Sequence, residues 1–168
     1  MEAKGEKIKR IYPLTAMQEG LLYEKLANED STQYVTQQVV RFGMLNVENM
    51  QAAFDGVVSK HDILHTVIKY KGVNKARQVL LMKRKPEFYF MEAASDSEYE
   101  KIKADDVKRG FDLEDNTLIR MTIVKRSDSD YRMILTNHHI ILDGWCIAIV
   151  YSEIQSTALS RMSLSWWY

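Results

Sequence analysis

The amino-acid sequence predicts an α/β fold in which helices pack on a largely antiparallel or mixed sheet. Two patterns support this prediction: apolar residues three or four positions apart, typical of amphipathic helices, and short β-branched runs with a period of two, typical of strands. Their order lacks the strict alternation of strand and helix found in a doubly wound fold. Because about 100–200 residues is usual for one domain, we expect the 168 residues to form a single domain.

The first half of the chain is predicted to contain helices at its start and strands towards its middle. Pro13 precedes apolar residues at helical spacing, which predicts a helix over residues 15–28. Alternating residues predict a strand over residues 34–42, and Asn46 is a suitable N-cap for the helix that follows. Further strands are predicted at residues 63–69, 77–82 and 88–91, with a turn at 72–74 between the first two.

The second half is predicted to combine a charged helix, a β-hairpin and a final helix. Gly110 suits the C-cap of the charged helix, since glycine adopts the backbone conformation that ends many helices. The predicted elements are the helix at residues 95–109, strands at 118–125 and 131–137 joined by a turn at 127–130, and a helix from Gly144 to about residue 159.

The composition excludes several classes of partner. Lys plus Arg and Asp plus Glu both total 23, so the formal net charge is zero. Binding to nucleic acid or to an anionic membrane calls for a basic face, so neither is expected as a partner. The most apolar stretch, residues 132–150, contains two histidines and an aspartate and is too polar for a membrane span.

The cysteine content and the first ten residues indicate the cellular compartment. Cys146 is the only cysteine, so the chain can form neither an internal disulfide nor a zinc site built from cysteines. Residues 1–10 are charged and lack the apolar segment of a secretory signal. We therefore expect a cytoplasmic protein.

One segment concentrates residues that can carry chemistry. His138 and His139 close a predicted strand, and Asp143 and Gly144 follow at the predicted start of a helix. Neighbouring residues of a strand point to opposite faces, so one histidine can be buried while the other faces a cleft. An aspartate at this place suits a helix cap, and the N–H groups of the helix start could stabilise an oxyanion.

Simpler interpretations exist for each part of this segment. A core histidine, a helix cap and a turn glycine are each common in proteins. A lone histidine would be interpreted first as such a structural residue. A zinc site is disfavoured because neighbouring histidines face opposite ways and no third ligand is evident. A serine triad is disfavoured because no Gly-x-Ser-x-Gly is present. The whole eight-residue segment, however, is more specific than any of its parts, which favours a functional motif over a chance combination.

Four segments together resemble the condensation domains of nonribosomal peptide synthetases, which belong to the chloramphenicol acetyltransferase-like superfamily. Residues 137–145 resemble their His-His-x-x-x-Asp-Gly signature, with His138, His139, Asp143 and Gly144 in its fixed positions. The other segments are residues 12–20, residues 61–67, and residues 111–113 followed by 118–120. The resemblance covers about residues 11–155, and residues 160–168 form a tail that does not align.

The resemblance implies one lobe of a two-lobed catalyst of antibiotic biosynthesis, with a tunnel between the lobes. Upstream and downstream peptidyl carrier proteins would present the substrates on phosphopantetheine arms, so no cofactor is expected to bind the chain directly. It also implies that the peptide bond forms at His139, that His138 is structural and that Asp143 organises the loop through an ion pair. Gly144 would let the backbone approach the thioester.

Two departures from the family shape our expectations. His65 stands where the family has an arginine before the threonine of its second motif. The family also continues into a second lobe of similar size, so we expect this chain to be the N-terminal lobe and inactive in isolation. Because a desolvated carboxylate needs a partner, we predict that Asp143 pairs with Arg120 or His65. Arg120 is favoured because it is always charged.

Peptide-bond formation by the complete domain is the leading hypothesis for function. The alternatives are a non-catalytic carrier-docking or interaction module and a coenzyme A-dependent acyltransferase relative. Residues 17–20 argue against the last, and they resemble family members that take a donor with a D-configured terminal residue. Trp145 is predicted to pack under the loop. The face meant for the missing lobe is expected to be apolar, with contributions from Trp166 and Trp167, and to support a homodimer.

Overall fold

The computed structural model describes residues 7–28 and 31–164, with side chains described as far as residue 160, and it confirms the mixed α/β class. The expected contributions of Trp166 and Trp167 lie outside the described residues. In chain order the elements are β1 (Ile8–Pro13), α1 (Ala16–Ala27), β2 (Val35–Phe42), α2 (Val47–Lys60), β3 (Thr66–Lys69), β4 (Arg77–Leu81), β5 (Glu87–Glu92), α3 (Asp96–Arg109), β6 (Ile119–Ser127), β7 (Asp130–His138) and α4 (Gly144–Leu164).

The described strands form two sheets. A three-stranded antiparallel sheet has the order β1-β4-β3, and a four-stranded mixed sheet has the order β2-β7-β6-β5. Only the β5–β6 pair of the second sheet is parallel. The prediction of a largely antiparallel or mixed sheet is therefore confirmed, with its strands divided between two sheets.

Strand β1 was not expected from the sequence. It pairs with β4 from Ile8 opposite Leu81 to Pro13 opposite Arg77, and most of it is exposed. Its adjacent basic residues, Lys9 and Arg10, suit an edge strand that buries little, and they interrupt the period-two hydrophobic pattern that marks a strand. Pro13 ends β1 instead of opening the helix. A proline is tolerated in an edge strand because an N–H on the outer side of the sheet has no neighbouring strand to bond to.

The predicted helix starts are confirmed by their caps. The Thr15 side chain accepts a hydrogen bond from the N–H of Gln18, whose side chain in turn accepts from Thr15, so α1 begins with a capping box. Asn46 caps α2 in the same way through the N–H of Asn49, at 2.8 Å. The predicted strand at residues 63–69 begins with a short 3-10 helix, Asp62–His65, and becomes extended only from Thr66.

Strand β7 lies inside the four-stranded sheet, between β2 and β6. The predicted hairpin pairs Ser127 with Asp130, and Arg120 of β6 lies opposite Thr136 of β7. Met133 and Leu135 enter the main core with α1, α2 and α4, whereas Ile134 packs with Tyr99 of α3 in a second cluster. Both faces of β7 are thus covered, which explains why its last six residues, Met133 to His138, are all buried although three of them are polar. The histidines stand at the end of this rigid strand.

No helix within the described residues is long and apolar enough to cross a membrane.

Candidate active site

The histidine pair lies where β7 leaves the sheet. The backbone N–H of His138 donates to the carbonyl of Leu118 on one side at 2.9 Å, and that of His139 donates to the carbonyl of Tyr34 on the other at 2.8 Å. The chain then turns, and the N–H of Ile141 donates back to the carbonyl of His138 at 3.2 Å. We call residues 139–141 the histidine turn. Its backbone is therefore fixed by both neighbouring segments of the sheet.

His138 is buried, with 2% of its surface exposed. The backbone N–H of Ile140 donates to its Nδ1 at 3.1 Å, so Nδ1 carries no proton and the neutral ring is protonated at Nε2. Burial lowers the pKa of His138 from 6.5 to about 4, and the nearby charges of Lys25 and His139 act in the same direction. The ring therefore stays neutral at pH 7 and serves as a hydrogen-bond acceptor for the turn.

His139 occupies a different environment from its neighbour. His139 is half-buried, whereas His138 is buried. Its charge is also close enough to Asp143 to contribute to the lowered pKa of that carboxyl group. A partly accessible imidazole at the end of a rigid strand is able to exchange a proton with a bound molecule.

Asp143 is exposed and caps α4. Its Oδ1 accepts a hydrogen bond from the N–H of Cys146 at 2.8 Å, and its carbonyl accepts the first helical bond from Ile147 at 3.0 Å. The Cys146 N–H and thiol, followed by the Trp145 N–H, hold the pKa of Asp143 below its ordinary value. The predicted cap is confirmed. Since the carboxylate occupies these two amides, they are not free to stabilise an oxyanion.

The predicted pairing of Asp143 with Arg120 or His65 is wrong. Arg120 is 1% exposed and pairs instead with Asp106, the Nε–Oδ1 distance being 2.7 Å. His65 is buried, its ring bonds to the backbone carbonyl of Val58, and burial lowers its pKa. The expectation assumed a desolvated carboxylate. Asp143 is instead exposed and satisfied by helix amides, so it needs no cation.

Gln18 contacts the histidine turn and was not singled out from the sequence. Its Nε2 donates to the carbonyl of Ile140 at 3.1 Å, and its side chain is buried. The same side chain completes the capping box with Thr15. The capping pattern Thr-x-x-Gln is visible in the sequence, but the second role depends on α1 lying beside the turn. Gln18 thus links the segment of residues 12–20 to the histidine motif, residues 137–145.

The end of α2 contacts α4 through Glu153, at the point where the segment of residues 61–67 begins. Lys60 Nζ and His61 Nε2 contact the two carboxylate oxygens of Glu153 at 2.8 and 2.7 Å. These contacts join the end of α2 to the middle of α4. Glu153 lies more than two helical turns after Asp143, so these contacts are remote from the histidine turn.

The surface beside the turn is open. A side chain at Gly144 would meet no atom within 4 Å, so close packing within the described residues does not require a glycine there. The prediction that Trp145 packs under the loop is wrong, because the residue is 86% exposed. As the second residue of α4 it points away from the core, like Ile149 one turn later. Among the residues whose side chains are described, no group of three or more His, Cys, Asp or Glu could hold a metal ion.

Comparison with known proteins gives a family match over most of the chain. A family model described as a condensation domain matches residues 8–161. The chain is 33% identical over 156 residues to bacitracin synthase 1 of Bacillus licheniformis, with 89% of the chain covered. It is 31% identical over 163 residues to tyrocidine synthase 2 of Brevibacillus parabrevis, with 92% covered. It spans only 3% and 4% of the lengths of these two relatives.

Solved structures show the same fold at low sequence identity. The starter condensation domain of rhizomide synthetase RzmA superimposes with a TM-score of 0.79 at 16% identity, covering 87% of this chain and 38% of that one. The condensation domain of Monacolin K polyketide synthase MokA gives a TM-score of 0.81 at 16% identity, covering 90% and 35%. At these identities the likeness supports the fold and nothing finer.

Proposed function

The chain belongs to the condensation-domain family, and from that premise we propose that it supplies the histidine-bearing lobe of a catalyst that joins two carrier-bound building blocks by a peptide bond. The observation that carries the proposal is the family match across residues 8–161, which includes the histidine turn. The half-buried state of His139 agrees with it, because a catalytic imidazole must be reached by substrate.

The proposed reaction is aminolysis of a thioester. The acceptor amine attacks the donor carbonyl carbon, a C–N bond forms, the C–S bond breaks, and the departing thiolate takes up a proton as the amine loses one. An α-amino group has an ordinary pKa near ~8, so a useful fraction is neutral at pH 7. Strong base catalysis is therefore less necessary than for a hydroxyl nucleophile.

Two roles are open to His139 in this reaction. As a general base it would accept the amine proton during attack, a contribution typically worth about 10²–10⁴ in rate. As a positioning group it would hold the amine and the tetrahedral intermediate in line, which contributes comparably. The roles differ in their pH dependence, since only the first requires the neutral imidazole to bind a proton in the transition state.

The proposed partners are carrier proteins with phosphopantetheine arms. A cleft of about 330 Å³ lies beside Phe111, and four cations line it, Lys25, Lys71, Lys108 and Arg109, against one carboxylate, Asp112. Arg109 also pairs with Glu87 at 3.1 Å. Such a concentration of cations in a chain with no net charge favours an anionic group, and the phosphodiester of the arm has that chemistry. No cofactor needs to bind the chain directly for this reaction.

A second lobe is proposed to cover the open side of the histidine turn. Met17, Trp145 and Ile149 are 72%, 86% and 57% exposed, on the two helices that adjoin the turn. Exposed apolar side chains of this size are typical of interfaces. In the absence of such a lobe, we propose that the same face supports a homodimer, which a measured mass in solution would test.

The experiment is a substitution in the protein that carries both lobes. We expect His139→Ala to lower the rate of condensation between two carrier-bound substrates by about 100-fold or more, with the product followed by mass spectrometry. Met44→Ala serves as the control, because Met44 is 80% exposed and lies between β2 and α2, away from the turn. Near-normal turnover of the His139 variant would mean that His139 takes no part in the reaction. Carrier binding without any condensation by the wild type would favour the non-catalytic docking module.

A further inference from the structure

Phe111 contacts both a buried guanidinium and the buried histidine. The Cζ atom of Arg120 stands 4.2 Å from the centroid of the Phe111 ring, within the range of a cation–π contact. The same ring also meets His138, with centroids 6.5 Å apart and the planes at 87°. This edge-to-face arrangement is a favoured geometry for aromatic pairs. Neither contact was expected from the sequence.

All three guanidinium nitrogens of Arg120 donate hydrogen bonds. Its Nε pairs with Asp106 Oδ1 at 2.7 Å, its Nη1 donates to the carbonyl of Gly110 at 2.6 Å, and its Nη2 donates to the carbonyl of Asp106. The two carbonyls belong to the C-terminal end of α3, where helical partners run out. A buried arginine from β6 thus caps α3 and fixes the backbone immediately before Phe111.

The second carboxylate oxygen of Asp106 also accepts hydrogen bonds. Its Oδ2 accepts hydrogen bonds from Gln37 Nε2 of β2 at 3.0 Å and from Thr136 Oγ1 of β7. Asp106 therefore connects α3 to β7, which leads into the histidine turn, and to its neighbour β2. A buried network in which each member has its partners is rigid, because any movement would leave a polar group unsatisfied.

We propose that Phe111 is a positioning residue for the histidine turn, held by its contact with Arg120 and in turn holding the His138 ring through their edge-to-face contact. The position of the His138 ring in turn fixes Ile140, whose N–H donates to His138 Nδ1 at 3.1 Å. Ile140 follows His139 directly, so the route from Arg120 to the candidate catalytic imidazole passes through two side chains and one hydrogen bond. Its consequence for catalysis rests on the proposed function, but the geometry of the turn does not.

This role explains why the segment from residues 111 to 120 accompanies the histidine motif. Its phenylalanine and its arginine are nine positions apart in sequence, yet they contact each other, and the phenylalanine contacts the histidine. A role limited to core stability would be served by any apolar residue of suitable volume at position 111. Positioning requires an aromatic ring that can contact the guanidinium and the imidazole together.

The test measures the turn directly, in the chain itself. In the wild type, ¹⁵N chemical shifts of the His138 ring should report an unprotonated Nδ1 and a protonated Nε2. In Phe111→Leu we expect a mixture of the two tautomers and an Ile140 amide that exchanges with solvent about tenfold faster. Phe111→Met, whose flexible unbranched side chain can fill an irregular space, repeats the measurement should the first variant fold poorly.

Tyr99→Leu is the matched control. Tyr99 is a buried aromatic residue of α3 that also lies against cations, Arg126 and Arg132, but in the separate cluster with Val124 and Ile134. It should lose stability without altering the His138 ring. Unchanged His138 shifts in both Phe111 variants would overturn the proposal, as would equal changes in Tyr99→Leu. These signals need no activity, so they decide the proposal even if the wild type fails to condense substrates.

A second readout applies in the protein that carries both lobes. There we expect Phe111→Leu to lower kcat by about tenfold while leaving KM for the carrier-bound substrates nearly unchanged, since the misplaced group acts in the transition state. Phe111→Tyr keeps the ring and should restore kcat. A loss of activity in Phe111→Leu that Phe111→Tyr shares, with normal His138 shifts in both, would also contradict the positioning role.

Discussion

The Oδ1 atom of Asp143 lies 2.8 Å from the backbone nitrogen of Cys146, and this bond makes the aspartate of the histidine motif a helix cap. The motif is thus a strand end, a turn and a helix start in close succession. Its two ends are fixed separately, by the sheet at His138 and by the cap at Asp143. The half-buried His139 is held between them.

Removing the cap should loosen α4 at its first turn. We expect Asp143→Ala to lower the urea midpoint of unfolding and to speed amide exchange at Cys146, because the N–H of Cys146 loses its acceptor. Asp143→Asn keeps an acceptor oxygen and should retain most of the midpoint. Equal losses in the two variants would mean that the charge, and not the cap, is what matters.

The Arg120–Asp106 pair should show strong coupling. Arg120→Met leaves the Asp106 carboxylate, 8% exposed, without its main cation. Breaking a buried pair from one side typically costs about 3–5 kcal/mol in the free energy of unfolding. Combined with Asp106→Asn, we expect a total loss smaller than the sum of the single losses by about 1–3 kcal/mol, measured by urea unfolding.

An exposed ion pair provides the control for this cycle. Lys9 and Asp62 lie 2.9 Å apart, but their side chains are 45% and 56% exposed. Exposed pairs of this kind contribute little, since water already solvates both charges. Lys9→Met should therefore leave the urea midpoint nearly unchanged. Additive losses for the buried pair would show that Arg120 and Asp106 stabilise the fold independently.

Local chemistry predicted most elements of this fold. Helix caps at Thr15, Asn46 and Ser95 stand where the sequence placed helix starts, because each depends only on residues three positions away. The hairpin between β6 and β7 is local in the same sense. Strand β1 escaped prediction because its partner β4 lies more than sixty residues further along the chain and the strand buries little of its own surface.

The contacts around the candidate site could not be predicted from the sequence. Asp143, Arg120 and His65 were all singled out, yet the pairing among them was wrong, because the sequence does not indicate which carboxylates are buried. Asp106 looks like an ordinary surface residue of a charged helix, and its burial follows only from α3 packing on the sheet. Gln18 was missed for the same reason, since its contact with Ile140 joins segments that are 122 residues apart.

Two glycines should respond in opposite directions to the same substitution. Gly110 ends α3 with φ 58° and ψ −153°, a backbone conformation that L-residues other than glycine rarely adopt. Gly110→Ala should therefore cost about 1–3 kcal/mol in the free energy of unfolding and disturb the His138 ring shifts through Phe111. Gly56 lies inside α2, and a Cβ atom added there would meet nothing within 4 Å, so Gly56→Ala should gain about 0.5–1 kcal/mol.

Thermal and urea unfolding of both variants check this prediction. Gly56→Ala also controls for the effect of alanine on the unfolded chain, since both substitutions restrict it equally. A stabilising Gly110→Ala would mean that the end of α3 adopts another conformation in solution.

Acid should destabilise the protein through His138. The unfolded histidine binds a proton near pH 6.5, whereas burial lowers the pKa of the folded one to about 4. Between these values the unfolded state holds more protons, so the contribution of neutral His138 is complete above pH 6.5 and is lost as the pH falls towards 4. From pH 7 to pH 5 we expect this one residue to lower the free energy of unfolding by about 2 kcal/mol. The lowered pKa of His65 acts in the same direction.

His138→Gln isolates this contribution, because glutamine does not titrate. The free energy of unfolding of the variant, measured by urea at several pH values, should be lower than that of the wild type at pH 7, where the turn loses its acceptor for Ile140. It should then fall by about 2 kcal/mol less than the wild type between pH 7 and pH 5. A direct ¹⁵N titration of the wild type should show that His138 is still largely unprotonated at pH 5. Parallel pH profiles for the two proteins, or a His138 ring that titrates near its ordinary pKa, would mean that the ring is accessible to water and does not anchor the histidine turn.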